Sequence, residues 1–265
     1  MKAYDYQDKM EMVNPSEDPS EQLLSVLSHE LRTPIASLQA ALDLLQICQQ
    51  DEQSLEAQSL LTLAADNIDR LTHTIQNILD WYEITHKTNS LFKHPLDGAA
   101  LIKCIVDKVQ LTATGQRIGI NLDIPSFIPL KADDYYLSRA LSNLLDNAIK
   151  FSPSDRQVWL TATIVQTGKS LDLPTLPYVL IAIKDQGAGI PETALQEIFQ
   201  PFKQVDSSDT RKYGGLGLEL AICDRIIQEH QGKIWAESTL GEGSIFYVAL
   251  PVIKNTDFHI YPKKY

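Results

Sequence analysis

Apolar residues recur at alternating steps of three and four near the start of the chain, which predicts a helix from about Ser20 to Gln49. Its stripe comprises Leu24, Leu27, Leu31, Ile35, Leu38, Leu42 and Leu45. A polar turn over 49–52 follows, and a second predicted helix carries the stripe Leu61, Ala64, Ile68, Leu71, Ile75, Ile78 and Tyr82. This heptad spacing is typical of helices that pack lengthwise against one another.

The two helices predict a hairpin, which by itself covers only part of its apolar stripes. We therefore expect two copies of the chain to pair into a dimeric four-helix bundle. The alternative is a hairpin that closes within one chain and is capped by the following domain.

From about Ser90 the pattern changes to short β-prone runs that alternate with amphipathic helices. Strands are predicted over 118–124, 158–165, 179–184, 233–237 and 244–250, and helices over 133–149 and 217–231. The fold class is therefore α followed by a layered α+β domain. We predict a leader or linker over 1–20, a helical domain over 21–88, the layered domain over 89–253 and a C-terminal tail over 254–265.

Composition narrows the function classes. The 265 residues carry a net charge of −11, which argues against nucleic acid or an anionic membrane as a partner, because both require clustered positive charge. Cys48, Cys104 and Cys223 are widely spaced, so neither a disulfide framework nor a zinc site is indicated. No apolar run reaches the roughly 18 residues that span a bilayer. We expect a cytoplasmic chain, either as it stands or as the cytoplasmic part of a longer receptor.

A histidine next to a carboxylate lies in the first predicted helix, within the segment 28–34. His29 falls outside the apolar stripe, and its imidazole is largely neutral at cytoplasmic pH, so it can act as a nucleophile toward phosphorus. Glu30 is a candidate general base, and Thr33, one turn further on, could position a water molecule. The alternative is an exposed histidine with no chemical role.

Two further segments suit a nucleotide. Asn143, Asn147 and Lys150 follow one another at about one helical turn, so two amide oxygens and an ammonium group can converge on a magnesium-bound polyphosphate. The segment 185–190 ends a predicted strand with Asp185 and contains two glycines, which let the backbone approach a flat ligand. A polar stretch over 203–213 then ends in glycines before a helix, as expected of a phosphate lid.

Together these segments resemble the transmitter module of sensor histidine kinases, in which a phosphoacceptor hairpin is joined to the ATPase fold shared with gyrase, Hsp90 and MutL (GHKL). The resemblance covers about 21–251. The segment 28–34 is similar to the phosphoacceptor motif, 143–151 to the asparagine box, 185–189 to the first glycine box and 198–202 to the phenylalanine box.

The resemblance implies a dimeric helical hairpin followed by a GHKL-type α/β sandwich that binds ATP and Mg²⁺. It implies an ATP-dependent kinase that phosphorylates His29, with Glu30 and Thr33 assisting, and passes the phosphoryl group to an aspartate on a response-regulator receiver domain. Asn147 would ligate Mg²⁺ with Asn143 nearby. The implied nucleotide-binding residues are Asn143, Asn147, Lys150, Phe151, Asp185, Gly187, Gly189, Ile190, Phe202, Arg211, Lys212, Gly215, Leu216, Gly217 and Leu218.

The second glycine box departs from the family pattern. Gly215 and Gly217 match the first two of three alternating glycines, whereas Glu219 occupies the third position. A glutamate that points inward would repel polyphosphate, and one that turns outward along the helix would cost little. The first case leaves open an alternative function, a phosphatase or signalling scaffold that binds nucleotide weakly.

Overall fold

The computed structural model describes residues 19–47, 55–86, 91–166, 177–204 and 216–253. The chain divides into two compact units, Met1–Leu71 and Thr72–Tyr265. Its helices are α1 Pro19–Ile47, α2 Leu55–His86, α3 Gly98–Gly115, α4 Asp134–Phe151, α5 Glu192–Leu195 and α6 Glu219–Glu229. Its strands are β1 His94–Asp97, β2 Gly119–Asp123, β3 Pro129–Ala132, β4 Gln157–Val165, β5 Tyr178–Lys184, β6 Lys233–Thr239 and β7 Gly243–Pro251.

The first unit contains α1 and the first half of α2. The two helices are joined where Asn67 Nδ2 donates to Ser37 Oγ at 3.2 Å, and small residues, among them Ala41 and Ala64, are buried. Several large residues of the predicted stripes stay exposed in the single chain, namely Ile35, Leu42, Leu61, Ile68, Ile75 and Tyr82. The hairpin prediction is confirmed, and part of its apolar stripes stays exposed in the single chain.

The second unit contains a five-stranded sheet in the order β2-β4-β5-β7-β6, in which only β2 and β4 run parallel. A separate two-stranded antiparallel ladder joins β1 to β3. The apolar face of α4 is buried, as the sequence predicts, and α3 and α6 pack beside α4 to complete a helical layer on the sheet. All five predicted strands and the two predicted helices are confirmed within one or two residues at their ends.

Four elements, α3, α5, β1 and β3, lie where the sequence pattern predicted none. Helix α3 begins after Asp97, whose Oδ1 accepts from the backbone N–H of Ala99 at 2.9 Å and that of Ile128 at 3.0 Å. Strands β1 and β3 have four residues each; β1 shows no alternation, and the alternation in β3 is limited to Leu130, Lys131 and Ala132. Asp97 therefore caps a helix and ties the β1–β3 corner together.

A buried histidine supports the start of α4. His230 follows α6, its Nε2 accepts from the backbone N–H of Asp133 at 3.0 Å, and its Nδ1 lies 2.8 Å from the carbonyl oxygen of Ile226. Since Nε2 accepts a hydrogen bond, the ring is neutral with its proton on Nδ1. Burial lowers the pKa of His230 below 6.5. In the part of the chain that the structure describes, no helix is long and apolar enough to cross a membrane.

Candidate functional site

The predicted phosphoacceptor segment lies within helix α1, which continues past Pro34 to Ile47. His29 belongs to this helix, but its side chain lies outside the described part of the structure. The carboxylate of Glu30 is half-buried, and its Oε2 lies 3.6 Å from Nη2 of Arg70 in α2. Thr33 is exposed. The candidate base is therefore anchored by a cation of the same unit.

Helix α4 presents the predicted polar row. Asn143 is buried, whereas Asn147 and Lys150 are half-buried. The amide of Asn143 is inaccessible to solvent and lies beside the thiol of Cys223 in α6, with which it interacts.

The end of α4 contributes a cation beside an aromatic ring. The Nζ atom of Lys150 lies 5.2 Å from the centre of the Phe151 ring, within the range of a cation–π contact. Phe151 is 37% exposed. A positive charge and an apolar surface thus adjoin the amide row.

Asp185 is the most sharply defined group of the site. The register of β5 and β7 pairs Lys184 with Ile245, so Asp185, which directly follows β5, lies opposite Ser244. The side chain of Asp185 is 4% exposed, and its Oδ1 accepts from the backbone N–H of Gly187 at 2.8 Å and that of Ser244 at 3.1 Å.

The second carboxylate oxygen of Asp185, Oδ2, has no hydrogen bond to any described residue. Burial raises the pKa of Asp185, and its two backbone hydrogen bonds oppose that rise. One oxygen therefore holds the loop, while the other is available to accept from an amine of a ligand.

The glycines after Asp185 allow the loop backbone to pass close to the end of α4. A Cβ atom at Gly187 would lie 2.6 Å from the carbonyl oxygen of Phe151, which is closer than real contacts allow. Gly189 has a φ of +73°, which side-chain-bearing residues rarely adopt. The backbone N–H of Ile190 donates to Oγ of Ser238 at 2.7 Å. These contacts fix the loop beside the carboxylate.

The second glycine segment is described from Leu216 onward. Gly217 has a φ of +65°, and its carbonyl oxygen accepts from the backbone N–H of Phe202 at 3.0 Å. Leu216 and Leu218 are buried, and α6 begins at Glu219. This backbone bond brings the predicted phenylalanine box and the second glycine box together. Arg211, Lys212 and Gly215 lie outside the described residues.

Two acidic groups, Glu219 and Asp146, lie near this polar row, and no sequence motif predicts that they are neighbours. The Oε1 atom of Glu219 lies 3.7 Å from Nδ1 of His73 in the second half of α2. Burial raises the pKa of Asp146, the charge of Glu219 raises it further, and His73 and Lys150 lower it. Neither this contact nor the Ser244 hydrogen bond has a local sequence signal, because both depend on tertiary packing.

The side chains available at this site limit which metal ions and ligands it can bind. Within the described ranges, no cluster of three histidine, cysteine or acidic residues could bind a metal ion by itself. Mg²⁺ accepts amide oxygens, retains several waters and shares phosphate oxygens with a nucleotide, so Asn147 with Asn143 suits that ion when a nucleotide brings it. The uncovered oxygen of Asp185 fits a polar, flat ligand.

Comparisons with known proteins agree with this geometry. Residues 20–87 match the His Kinase A (phospho-acceptor) domain, and residues 132–254 match the histidine kinase-, DNA gyrase B- and HSP90-like ATPase. The chain is 29% identical over 235 residues to the sensor protein kinase WalK of Staphylococcus aureus, covering 88% of this chain and 54% of that relative. In the WalK of strain JH9 the same match covers 37% of the relative. The chain thus spans about half or less of these relatives.

Solved structures show the same fold. Full-length ShkA in complex with AMPPNP is 25% identical with a TM-score of 0.62, and the match covers 88% of this chain and 46% of ShkA. The histidine kinase AdeS of Acinetobacter baumannii is 22% identical with a TM-score of 0.63, covering 85% and 98% of the two chains. The histidine kinase ThkA, crystallised with the response regulator TrrA, is 22% identical with a TM-score of 0.67, covering 88% and 61%.

Proposed function

The chain belongs to the sensor histidine kinases, and from this premise we propose that it transfers the γ-phosphoryl group of ATP to His29 and then to an aspartate of a response regulator. The observation that carries the proposal is the Asp185 carboxylate in the ATPase fold, buried with one oxygen uncovered. That oxygen suits the exocyclic amine of adenine, because a charged acceptor in a dry site makes a strong and selective hydrogen bond.

Helix α4 would hold the triphosphate. Lys150 supplies positive charge to the phosphates, and the ring of Phe151 lies beside its ammonium group. Asn147, with Asn143 nearby, would hold Mg²⁺, which when bound neutralises charge on the phosphate oxygens. Gly187, Gly189 and Ile190 would line the base, and Phe202 with Leu216, Gly217 and Leu218 would support the lid. Arg211, Lys212 and Gly215 remain proposed lid contacts.

The chemical step would be an in-line displacement. A ring nitrogen of His29 attacks the γ-phosphorus, the bond from that phosphorus to the bridging oxygen breaks, and ADP leaves with the electron pair. Glu30 takes the proton of the other ring nitrogen, and Arg70 fixes the carboxylate during that transfer. Thr33 would position a water molecule for the hydrolysis of a phosphorylated partner.

The proposed partners follow from the exposed surface and from the family. The apolar stripes of α1 and α2, with Leu61 and Ile68 about half exposed, favour a homodimer. ThkA, which has the same fold, was crystallised with a response regulator, and this supports a receiver domain as the second partner. Because ATP and receiver domains meet in the cytoplasm, we propose a cytoplasmic position for this segment, as part of a longer receptor or by itself.

The proposal is tested by incubating the chain with Mg²⁺ and γ-labelled ATP. We expect label that is stable in alkali, lost in acid and absent from His29→Gln. His86→Gln removes an exposed histidine elsewhere in the chain and serves as the control, which should retain the label. Label that persists in His29→Gln would refute the assignment of the acceptor, and no label in the parent chain would favour the scaffold function.

A further inference from the structure

Glu219 is the residue of the nucleotide region that the family pattern explains least. It is the first residue of α6, and its Oε1 lies 3.7 Å from Nδ1 of His73. The Glu219 side chain is 30% exposed and that of His73 is 53% exposed. The glutamate at the glycine position therefore has a specific neighbour in the second half of α2.

The His73 ring is held by a polar row between α2 and α4. Arg139 of α4 forms a buried ion pair with Asp80, and its Nη2 donates to Oδ1 of Asn77 at 2.9 Å. Since the amide oxygen of Asn77 is occupied in this way, its Nδ2 faces Nδ1 of His73, at 3.4 Å. The Arg139–Asp80 ion pair thus orients the His73 imidazole through Asn77.

The Nδ1 atom of His73 has two neighbours. When it carries no proton it accepts from Asn77, and when the ring is charged it forms an ion pair with the carboxylate of Glu219. The charged groups around this contact are Glu219 on α6, Asp146, Lys150 and Arg139 on α4, and Asp80 on α2. Only the protonated ring neutralises the glutamate directly.

We propose that His73 of α2 is a positioning residue for nucleotide binding. It holds the carboxylate of Glu219 toward α2 and so permits a glutamate where the family expects glycine. This inference rests on the proposed nucleotide site. A carboxylate at the start of α6 repels polyphosphate when its side chain is free to turn toward the nucleotide. A cation beside the carboxylate offsets its negative charge and restricts its rotation. Protonation of His73 then makes nucleotide binding tighter at lower pH.

A double-mutant cycle tests this coupling. The dissociation constant of a magnesium-bound non-hydrolysable ATP analogue is measured at pH 6 and pH 8 for the parent, His73→Gln, Glu219→Gly and the double variant. We expect His73→Gln to weaken binding about two- to fivefold at pH 6, the range of one exposed ion pair, and to have no effect in the Glu219→Gly background. The gain in affinity from pH 8 to pH 6 should shrink in His73→Gln.

Equal effects of His73→Gln in both backgrounds, or no effect in the parent, would overturn the proposal. A readout without nucleotide separates its failure from that of the proposed function. In NMR spectra of the chain without nucleotide, Glu219→Gln should shift the ring resonances of His73, because the ring loses its carboxylate neighbour. Unchanged ring resonances of His73 would exclude the contact, whereas failure of the parent chain to bind any nucleotide would count against the proposed function alone.

Discussion

Replacing Asp185 by asparagine should separate ligand binding from folding. In the parent chain Oδ1 accepts from two backbone N–H groups, at 2.8 Å and 3.1 Å, and Oδ2 is left for the ligand. An asparagine of the same shape keeps the acceptor Oδ1 and places an NH₂ group where Oδ2 was. That group would face the amine of adenine as a second donor.

The magnitude follows from the hydrogen bond that is lost. A hydrogen bond to a charged group contributes about 1.5–3 kcal/mol, so Asp185→Asn should weaken binding of an ATP analogue by about ten- to 150-fold. The free energy of unfolding should change by less than about 1 kcal/mol, because both backbone donors keep their acceptor. In contrast, Asp185→Ala leaves two buried N–H groups unpaired and should cost about 2–4 kcal/mol of stability.

The pH dependence of stability gives a second test of Asp185. Burial raises its pKa in the folded state above the ordinary value of 3.8, so between the unfolded-state pKa and the folded-state pKa the folded state binds more protons. The parent therefore loses stability as the pH rises through that interval, and Asp185→Asn should lack this loss.

Calorimetric titration and urea unfolding are the two assays, with the exposed Asp123→Asn as the charge-matched control. Binding by Asp185→Asn within threefold of the parent would refute the assigned role of Oδ2. Equal destabilisation by Asp185→Asn and Asp185→Ala would refute the separation of the two carboxylate oxygens.

Two further predictions concern the frame of the second unit. Burial lowers the pKa of His230, so below about pH 6.5 the unfolded state binds a proton more readily than the folded state does. The free energy of unfolding should therefore decrease as the pH is lowered below this value. Urea unfolding across pH should show a weaker decrease in His230→Gln. Asp80→Leu leaves the buried guanidinium of Arg139 without its carboxylate and should lower the free energy of unfolding by about 3–5 kcal/mol. Adding Arg139→Met should recover most of that stability. A double variant no more stable than Asp80→Leu would contradict this account.

Much of the fold could be predicted because its long elements have strong periodicity. The stripes of α1 and α2 and the alternation in β4, β5 and β7 depend on local sequence, and the structure agrees with them. Helix α3 has a detectable signal as well, since Ile102, Ile105 and Val109 recur at helical spacing after Asp97. Strand β1 has no alternation and β3 alternates over three residues only, so both depend on the pairing that tertiary structure supplies.

The site shows the same division. Asn143, Asn147, Lys150 and Asp185 could be identified from spacing and order, because one helix and one strand end carry them. Which donors hold Asp185 could not be predicted, since Ser244 comes from a strand 59 residues away in sequence. The neighbour of Glu219 was equally hidden, because His73 reaches it from a different helix.

The most direct test of the central claim is to locate the phosphoryl group on the chain after reaction with ATP. The phosphorylated chain is digested at neutral to alkaline pH, where phosphohistidine survives, and the modified residue is identified by mass spectrometry. The account predicts one phosphoryl group on His29, which is lost when a receiver domain with its acceptor aspartate is added. Phosphate on Ser28, on Thr33 or on another histidine would contradict it.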